Sequence, residues 1–131
     1  MTRFLIVAAG GALGAVARYG VGVGALRLFP TAHWPWATLT VNVVGGLLMG
    51  LLAGWLAFRG GVHTESLRLF AAVGVLGGFT TFSAFSLEAA LMIERRQLAM
   101  AGGYVAASVV LSIAALFLGL MVARRAFGAA L

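Results

Sequence analysis

The sequence predicts an all-α integral membrane protein with four transmembrane helices, the third broken at mid-membrane. Three observations lead there. The chain of 131 residues is 63% hydrophobic and 9% charged, more apolar surface than a soluble domain of this size can bury. The apolar residues fall in four runs, about Phe4–Leu28, Pro35–Phe58, Leu67–Met92 and Met100–Val122. Each exceeds the ~20 residues that cross ~30 Å of hydrocarbon. The third run carries GGFTTFSAF, Gly77 to Phe85, where glycines and hydroxyl residues gather at the expected bilayer centre. One four-helix transmembrane domain over residues 1–131 is expected.

The first run, Phe4–Leu28, is too long for a signal peptide, and three further spans follow it. It contains small-xxx-small pairs, Gly10/Gly14 and Gly20/Gly24, a spacing that lets helix backbones approach closely. Arg18 lies about 22 Å along the helix from Arg3, which puts it near the far interface or in an aqueous vestibule. There it acts either as a snorkelling residue beside Tyr19 or as a fixed charge that gathers anions. The loop RLFPTAHWPW holds both prolines, and Trp34 and Trp36 suit the interfacial aromatic belt. His33 and His63 read as solvated loop residues.

The second run, Pro35–Phe58, opens with Thr38 and Asn42 four apart, on one helix face. An Asn inside a span needs partners. It serves either an interhelical hydrogen bond or presentation of its two amide N–H donors to an anion. Gly46, Gly50 and Gly54 then give a smooth packing face.

The third run, Leu67–Met92, would measure about 39 Å as a continuous helix, longer than the hydrocarbon, so tilt or a break is expected. Gly77-Gly78 reads as the break. A broken helix exposes carbonyls that suit cations and N–H groups that suit anions, and lipid cannot cover either. The hydroxyls of Thr80 and Thr81 are available to cap the second half-helix. Phe82 and Phe85 project from one face, and Glu88 follows one turn later, near the interface. In the fourth run, Met100–Val122, Tyr104, Ser108 and Ser112 form a polar stripe that fits a pore wall or a helix seam equally well.

Composition narrows the chemistry. The chain has nine Arg, no Lys, three Glu and no Asp or Cys. The Arg mostly flank spans, the ordinary anchoring use. With both termini on one side, that side carries five Arg and the other three, a weak bias that permits either one orientation or both. The serines have no nearby base, and no His–Glu pair stands at ligand spacing, so an enzyme is not expected. An Asn amide, hydroxyls, phenyl edges and an Arg make a donor-bearing path without an embedded acid in spans 1 or 2. That argues for passive flow of an anion over proton-coupled export.

GGALGAVARY, TLTVNVVGG and GGFTTFSAFSLE, taken in order across all four spans, resemble the three motifs of the Fluc/CrcB family of small bacterial fluoride channels. The resemblance implies an antiparallel, dual-topology homodimer in the bacterial inner membrane, with two fluoride pores and passive fluoride efflux. It makes Asn42 the pore amide and Phe82 and Phe85 the rings whose edges face fluoride. Thr81, Ser83, Tyr104, Ser108 and Ser112 supply hydroxyls along the path, and Arg18 serves the vestibule or subunit packing. The backbone carbonyls of Gly77 and Thr80 hold a structural sodium ion at the dimer centre. The chain departs from the family pattern at Ala84, where a second Thr is usual, and at Ala37, where Gly is usual. The competing readings are a dual-topology multidrug-type exporter and a membrane assembly factor that transports nothing.

Overall fold

In an apolar solvent the backbone has no partner but itself, so long apolar runs form helices. The computed structural model describes residues Met1–Gly128. Helix α1 spans Thr2–Leu28, α2 Trp36–Leu56 and α3 Val62–Arg68, which runs into a π-helical segment, Leu69–Leu76. A single turn, α4, follows at Gly77–Phe79, then α5 at Phe82–Glu94 and α6 at Leu98–Gly128. Four stretches are long and apolar enough to cross a membrane: Thr2–Leu28, Trp36–Leu56, Val62–Glu94 and Leu98–Gly128. The third begins earlier than its apolar run, and α6 continues past Val122 through Arg124 and Arg125. Residues 129–131, included in the expected domain, lie outside the described residues.

The helices pack as two parallel pairs. A Cβ added at Gly10 would meet the Phe70 carbonyl, and one at Gly14 the Val75 carbonyl, so α1 lies backbone to backbone on the π-helical segment. On the other pair, a Cβ at Gly46 would sit 2.7 Å from the Ser112 carbonyl, and one at Gly54 would sit 2.6 Å from Ala123 Cβ. The glycine face read from the sequence therefore seats α2 on α6. Gly20 and Gly24 meet nothing within 4 Å. Successive spans alternate in direction, so Met1 and the end of α6 share one face of the molecule, where Arg3 lies 3.5 Å from Glu65 across exposed surface.

The third span is interrupted, but not at its glycines. Gly77 and Gly78 remain helical, and the Gly77 N–H still bonds the Ala72 carbonyl five residues back. The expectation that Gly77-Gly78 forms the break is thus corrected. Gly78 instead admits α1: a Cβ there would lie 2.5 Å from the Gly11 carbonyl, whereas one at Gly77 meets only the Ala72 carbonyl at 3.7 Å. The chain leaves the helix at Thr80 (φ −81°, ψ 159°) and Thr81 (φ −151°, ψ 115°), both extended. It then turns back at Arg96, whose φ of 59° is left-handed, and the Gln97 N–H closes on the Met92 carbonyl at 2.9 Å. This turn brings α6 beside α5, and Leu39, Phe85, Ala89, Met92, Ala101 and Tyr104 form a buried cluster between them and α2.

Candidate functional site at the helix interruption

Two extended residues inside a span leave backbone groups that lipid cannot satisfy. The side chain of Asn42, reaching over from α2, takes up both backbone polar groups of one residue, Thr81. Its Nδ2 donates to the Thr81 carbonyl at 3.0 Å, and the Thr81 N–H donates to its Oδ1 at 2.8 Å. The Thr81 hydroxyl accepts from the Ala84 N–H at 3.1 Å and caps α5. The Thr80 hydroxyl turns the other way and donates to the Leu76 carbonyl at 2.9 Å. A Cβ at Gly45 would collide with the Thr80 methyl, so glycine there lets α2 reach the interruption.

A groove of about 390 Å³ opens beside this clamp. Asn42, Thr80, Thr81, Phe82, Phe85, Ser108 and Ser112 line it, together with Gly45, Gly46 and apolar side chains of α2 and α6. The Ser108 and Ser112 hydroxyl oxygens are buried and have no partner among the described residues. Both serines line the groove without a partner for their hydroxyls, and Asn42 keeps a second amide hydrogen. Phe82 is 78% exposed at the rim, while Phe85 is 9% exposed and buried behind it, the two rings 5.5 Å apart. The lining offers hydroxyl, amide and ring-edge donors without a cation, an arrangement that receives a small anion.

A second cavity, of about 280 Å³, lies between the α1–α2 loop and α5, lined in part by Trp34, Trp36, Glu88 and Arg95. Glu88, on the wall of this second cavity, carries a carboxylate network. The Thr38 hydroxyl donates to Glu88 Oε1 at 2.6 Å, and the Tyr104 hydroxyl donates to Oε2 at 2.6 Å.

Residues 5–120 match the family model described as CrcB-like protein, Camphor Resistance (CrcB). Over 127 residues the chain is 65% identical to the fluoride-specific ion channel FluC of Caulobacter sp. (strain K31), covering 97% of this chain and 98% of that protein. It is 62% identical to the protein of the same name from Caulobacter vibrioides (strain NA1000 / CB15N), and 59% to that of Phenylobacterium zucineum (strain HLK1). Each of these two matches covers 97% of this chain and 99% of the relative. The chain belongs to the CrcB family.

Within this CrcB chain the structure brings Asn42, Thr81, Phe82, Phe85, Ser108 and Ser112 to one groove. Tyr104 is fully buried behind Phe85, with its hydroxyl turned to Glu88. Ser83 is exposed and pairs with the Thr81 hydroxyl at 3.2 Å. Arg18 is half-buried on α1 and lines neither cavity. Gly77 is exposed just before the interruption. Glu88 is half-buried and held by two hydroxyls, partners that its place along the span did not announce. The signal was present as a polar residue on each of three spans, Thr38, Glu88 and Tyr104. Only packing tells that they meet.

Proposed function

We propose that this chain is a fluoride-selective channel that lets fluoride leave the bacterial cytoplasm passively across the inner membrane. The observation that carries the reading is near-full-length identity with relatives named fluoride-specific ion channels. The groove supports it chemically. Fluoride is small and strongly hydrated, so a path for it must replace water with donors, and Ser108, Ser112, Asn42 and the ring edges of Phe82 and Phe85 supply them. Passive flow suffices, because HF that enters from acid surroundings dissociates inside and is trapped as the ion.

The groove is open along one side of the chain, with Phe82 standing exposed at its rim. A second, antiparallel copy closing it gives a homodimer with two pores. The weak Arg bias, five against three, supports insertion in both orientations. A reporter on the C-terminus that works on one side of the membrane is expected to give mixed orientation. Lys residues added near Arg3 are expected to fix the orientation and lower activity, and an oppositely biased copy to restore it. Full activity from a single fixed orientation would defeat the antiparallel dimer.

A structural sodium ion fits the interruption. The Thr81 N–H, which a continuous helix would give to the Gly77 carbonyl, goes to Asn42 instead, and Thr80 is extended. The Gly77 and Thr80 carbonyls would be the chain's contribution to such an ion, which would supply fixed positive charge and join the copies. Purified protein in liposomes tests the whole reading. Fluoride efflux is expected with chloride efflux negligible, and an imposed sodium gradient is expected to drive nothing. Equal fluoride and chloride release, or none of either, would end it.

A further inference from the structure

We propose that the shared end of α2 and α6 binds the phosphodiester headgroup of an anionic membrane lipid, with Arg59, Arg124 and Arg125 as the charged side chains that hold it. None of the three lines the groove, and the site takes no part in the fluoride reading.

Two contacts tie the helix ends together. Gly54 packs on Ala123, and a Cβ at Gly128 would lie 3.2 Å from the Phe58 ring. Arg59 directly follows Phe58, and Arg124 and Arg125 fall between Ala123 and Gly128, so three guanidinium groups belong to one helix-pair end. All three residues are exposed. Arg59 is also placed: its Cζ sits 4.7 Å over the Trp55 ring, a cation–π contact that holds the charge at the level of an interfacial indole.

No carboxylate pairs with these arginines among the described residues. Glu65, on the same face of the molecule, lies against Arg3, and Glu88 and Glu94 sit on α5, whose end joins the start of α6 on the opposite face. The C-termini of α2 and α6 do offset part of the charge. Each carries about −0.5 of an elementary charge, so roughly two of the three positive charges remain uncompensated.

The layer in which they stand selects the ligand. Helix α6 has 31 residues, about 46 Å, against ~30 Å of hydrocarbon. Its apolar run ends at Val122, so Arg124 and Arg125 stand just past it, at headgroup depth. The anion at that depth is the lipid phosphodiester, whose oxygens a guanidinium pairs two at a time. One to two turns below, Phe117, Met121 and Val122 are exposed and offer apolar surface to acyl chains. A lipid fills both parts, whereas free phosphate fills only the first. A zwitterionic headgroup brings its own cation, which the arginines repel, so a lipid of net negative charge is preferred. Arginines that merely flank a span make no such choice.

The full chain in non-ionic detergent tests the site, with retained lipid counted by native mass spectrometry and the melting temperature followed on the same sample. At low salt, phosphatidylglycerol is expected to bind at least about tenfold tighter than phosphatidylcholine of the same chains, because juxtamembrane arginines attract anionic lipid cumulatively. Replacing all three, Arg59→Gln, Arg124→Gln and Arg125→Gln, is expected to bring the two lipids within about twofold. Lysine at the same positions keeps the charge and is expected to retain at least about threefold. Removing equal charge from the opposite face, Arg27→Gln, Arg95→Gln and Arg96→Gln, is expected to leave the preference within about twofold of wild type. Should the first triple variant not purify, Arg124→Gln with Arg125→Gln decides in its place, with at least about a threefold loss expected. Equal binding of the two lipids by the wild type, or an undiminished preference without the arginines, would overturn the site. So would equal losses from both triple variants, which mark net charge alone. Displacement of phosphatidylglycerol by millimolar sodium phosphate would make the occupant a soluble anion and overturn the lipid. Every arm is read without ion flux, so failure of the channel reading leaves the test intact.

Discussion

Replacing Asn42 by Asp is expected to reduce fluoride efflux from liposomes by at least about a hundredfold while the protein still inserts and purifies. The amide currently donates to the Thr81 carbonyl and accepts from the Thr81 N–H. Aspartate preserves the shape and the second bond. It loses the first, replaces both N–H donors of the amide by one acceptor oxygen and sets a negative charge on the groove wall. Losing a donor to an ion costs about 1.5–3 kcal/mol, and repulsion of the anion adds to that, so a hundredfold loss is the lower bound. Asn42→Ala separates the two duties. It leaves the Thr81 N–H and carbonyl unpaired in the span, which costs about 1–3 kcal/mol per buried group, and is expected to lower the melting temperature as well as the flux. Efflux near wild type from a well-folded Asn42→Asp protein would take Asn42 out of the path.

That double duty was only half legible in the sequence. Thr38 and Asn42 on one helix face announced an Asn that needed partners, and both readings of it, interhelical bond and anion donor, were available. The structure supplies the bond, to the Thr81 backbone of the interrupted third span, and leaves one amide hydrogen over. The four spans were legible because hydrophobic length is set by the bilayer and needs no knowledge of neighbours. The α2 glycine face was legible for the same reason: Gly46, Gly50 and Gly54 repeat at a helical period, and that period is local.

The interruption shows where local reading ends. Glycines have weak helix propensity, so Gly77-Gly78 was the natural place for the break. Yet propensity in a packed span is outweighed by contacts. Gly78 stays helical because α1 lies against it, and the chain opens three residues after Gly77, where the Asn42 amide competes for the Thr81 N–H. Nothing within the third span reveals that competitor, since it sits 39 residues away. Glu88 is a related case. Its distance along the span suggested the interface, and the hydroxyls of α2 and α6 that bind it there come from other spans. Polar residues inside a membrane protein find each other across helices, and single-sequence spacing records only one side of each pair.

The ring pair gives the other large expected effect, and the structure makes it a cleaner test than spacing alone allowed. Phe82→Ile and Phe85→Ile both keep apolar bulk and remove the positive edge that a phenyl ring turns to an anion. Their surroundings differ. Phe85 is buried at 9% exposure, 5.3 Å from the Tyr104 ring, so its replacement disturbs the core cluster and is expected to cost about 1–3 kcal/mol of stability. A fall in its flux therefore mixes a lost edge with a shifted Tyr104. Phe82 is 78% exposed at the groove rim, with Phe85 the one aromatic ring against it among the described residues. Its replacement by Ile has little to disturb within the chain. If Phe82 only covers the groove, or packs against a second copy, Ile of similar bulk serves as well, and efflux stays within about twofold of wild type because volume-conserving apolar swaps cost under about 1.5 kcal/mol. If its edge solvates the passing ion, the variant melts at the wild-type temperature and conducts at least about tenfold less, the equivalent of about 1.4 kcal/mol in the barrier. Liposome efflux paired with a thermal melt on the same preparation distinguishes these. Wild-type flux from folded Phe82→Ile would return both rings to packing and leave the serines and Asn42 to carry the anion.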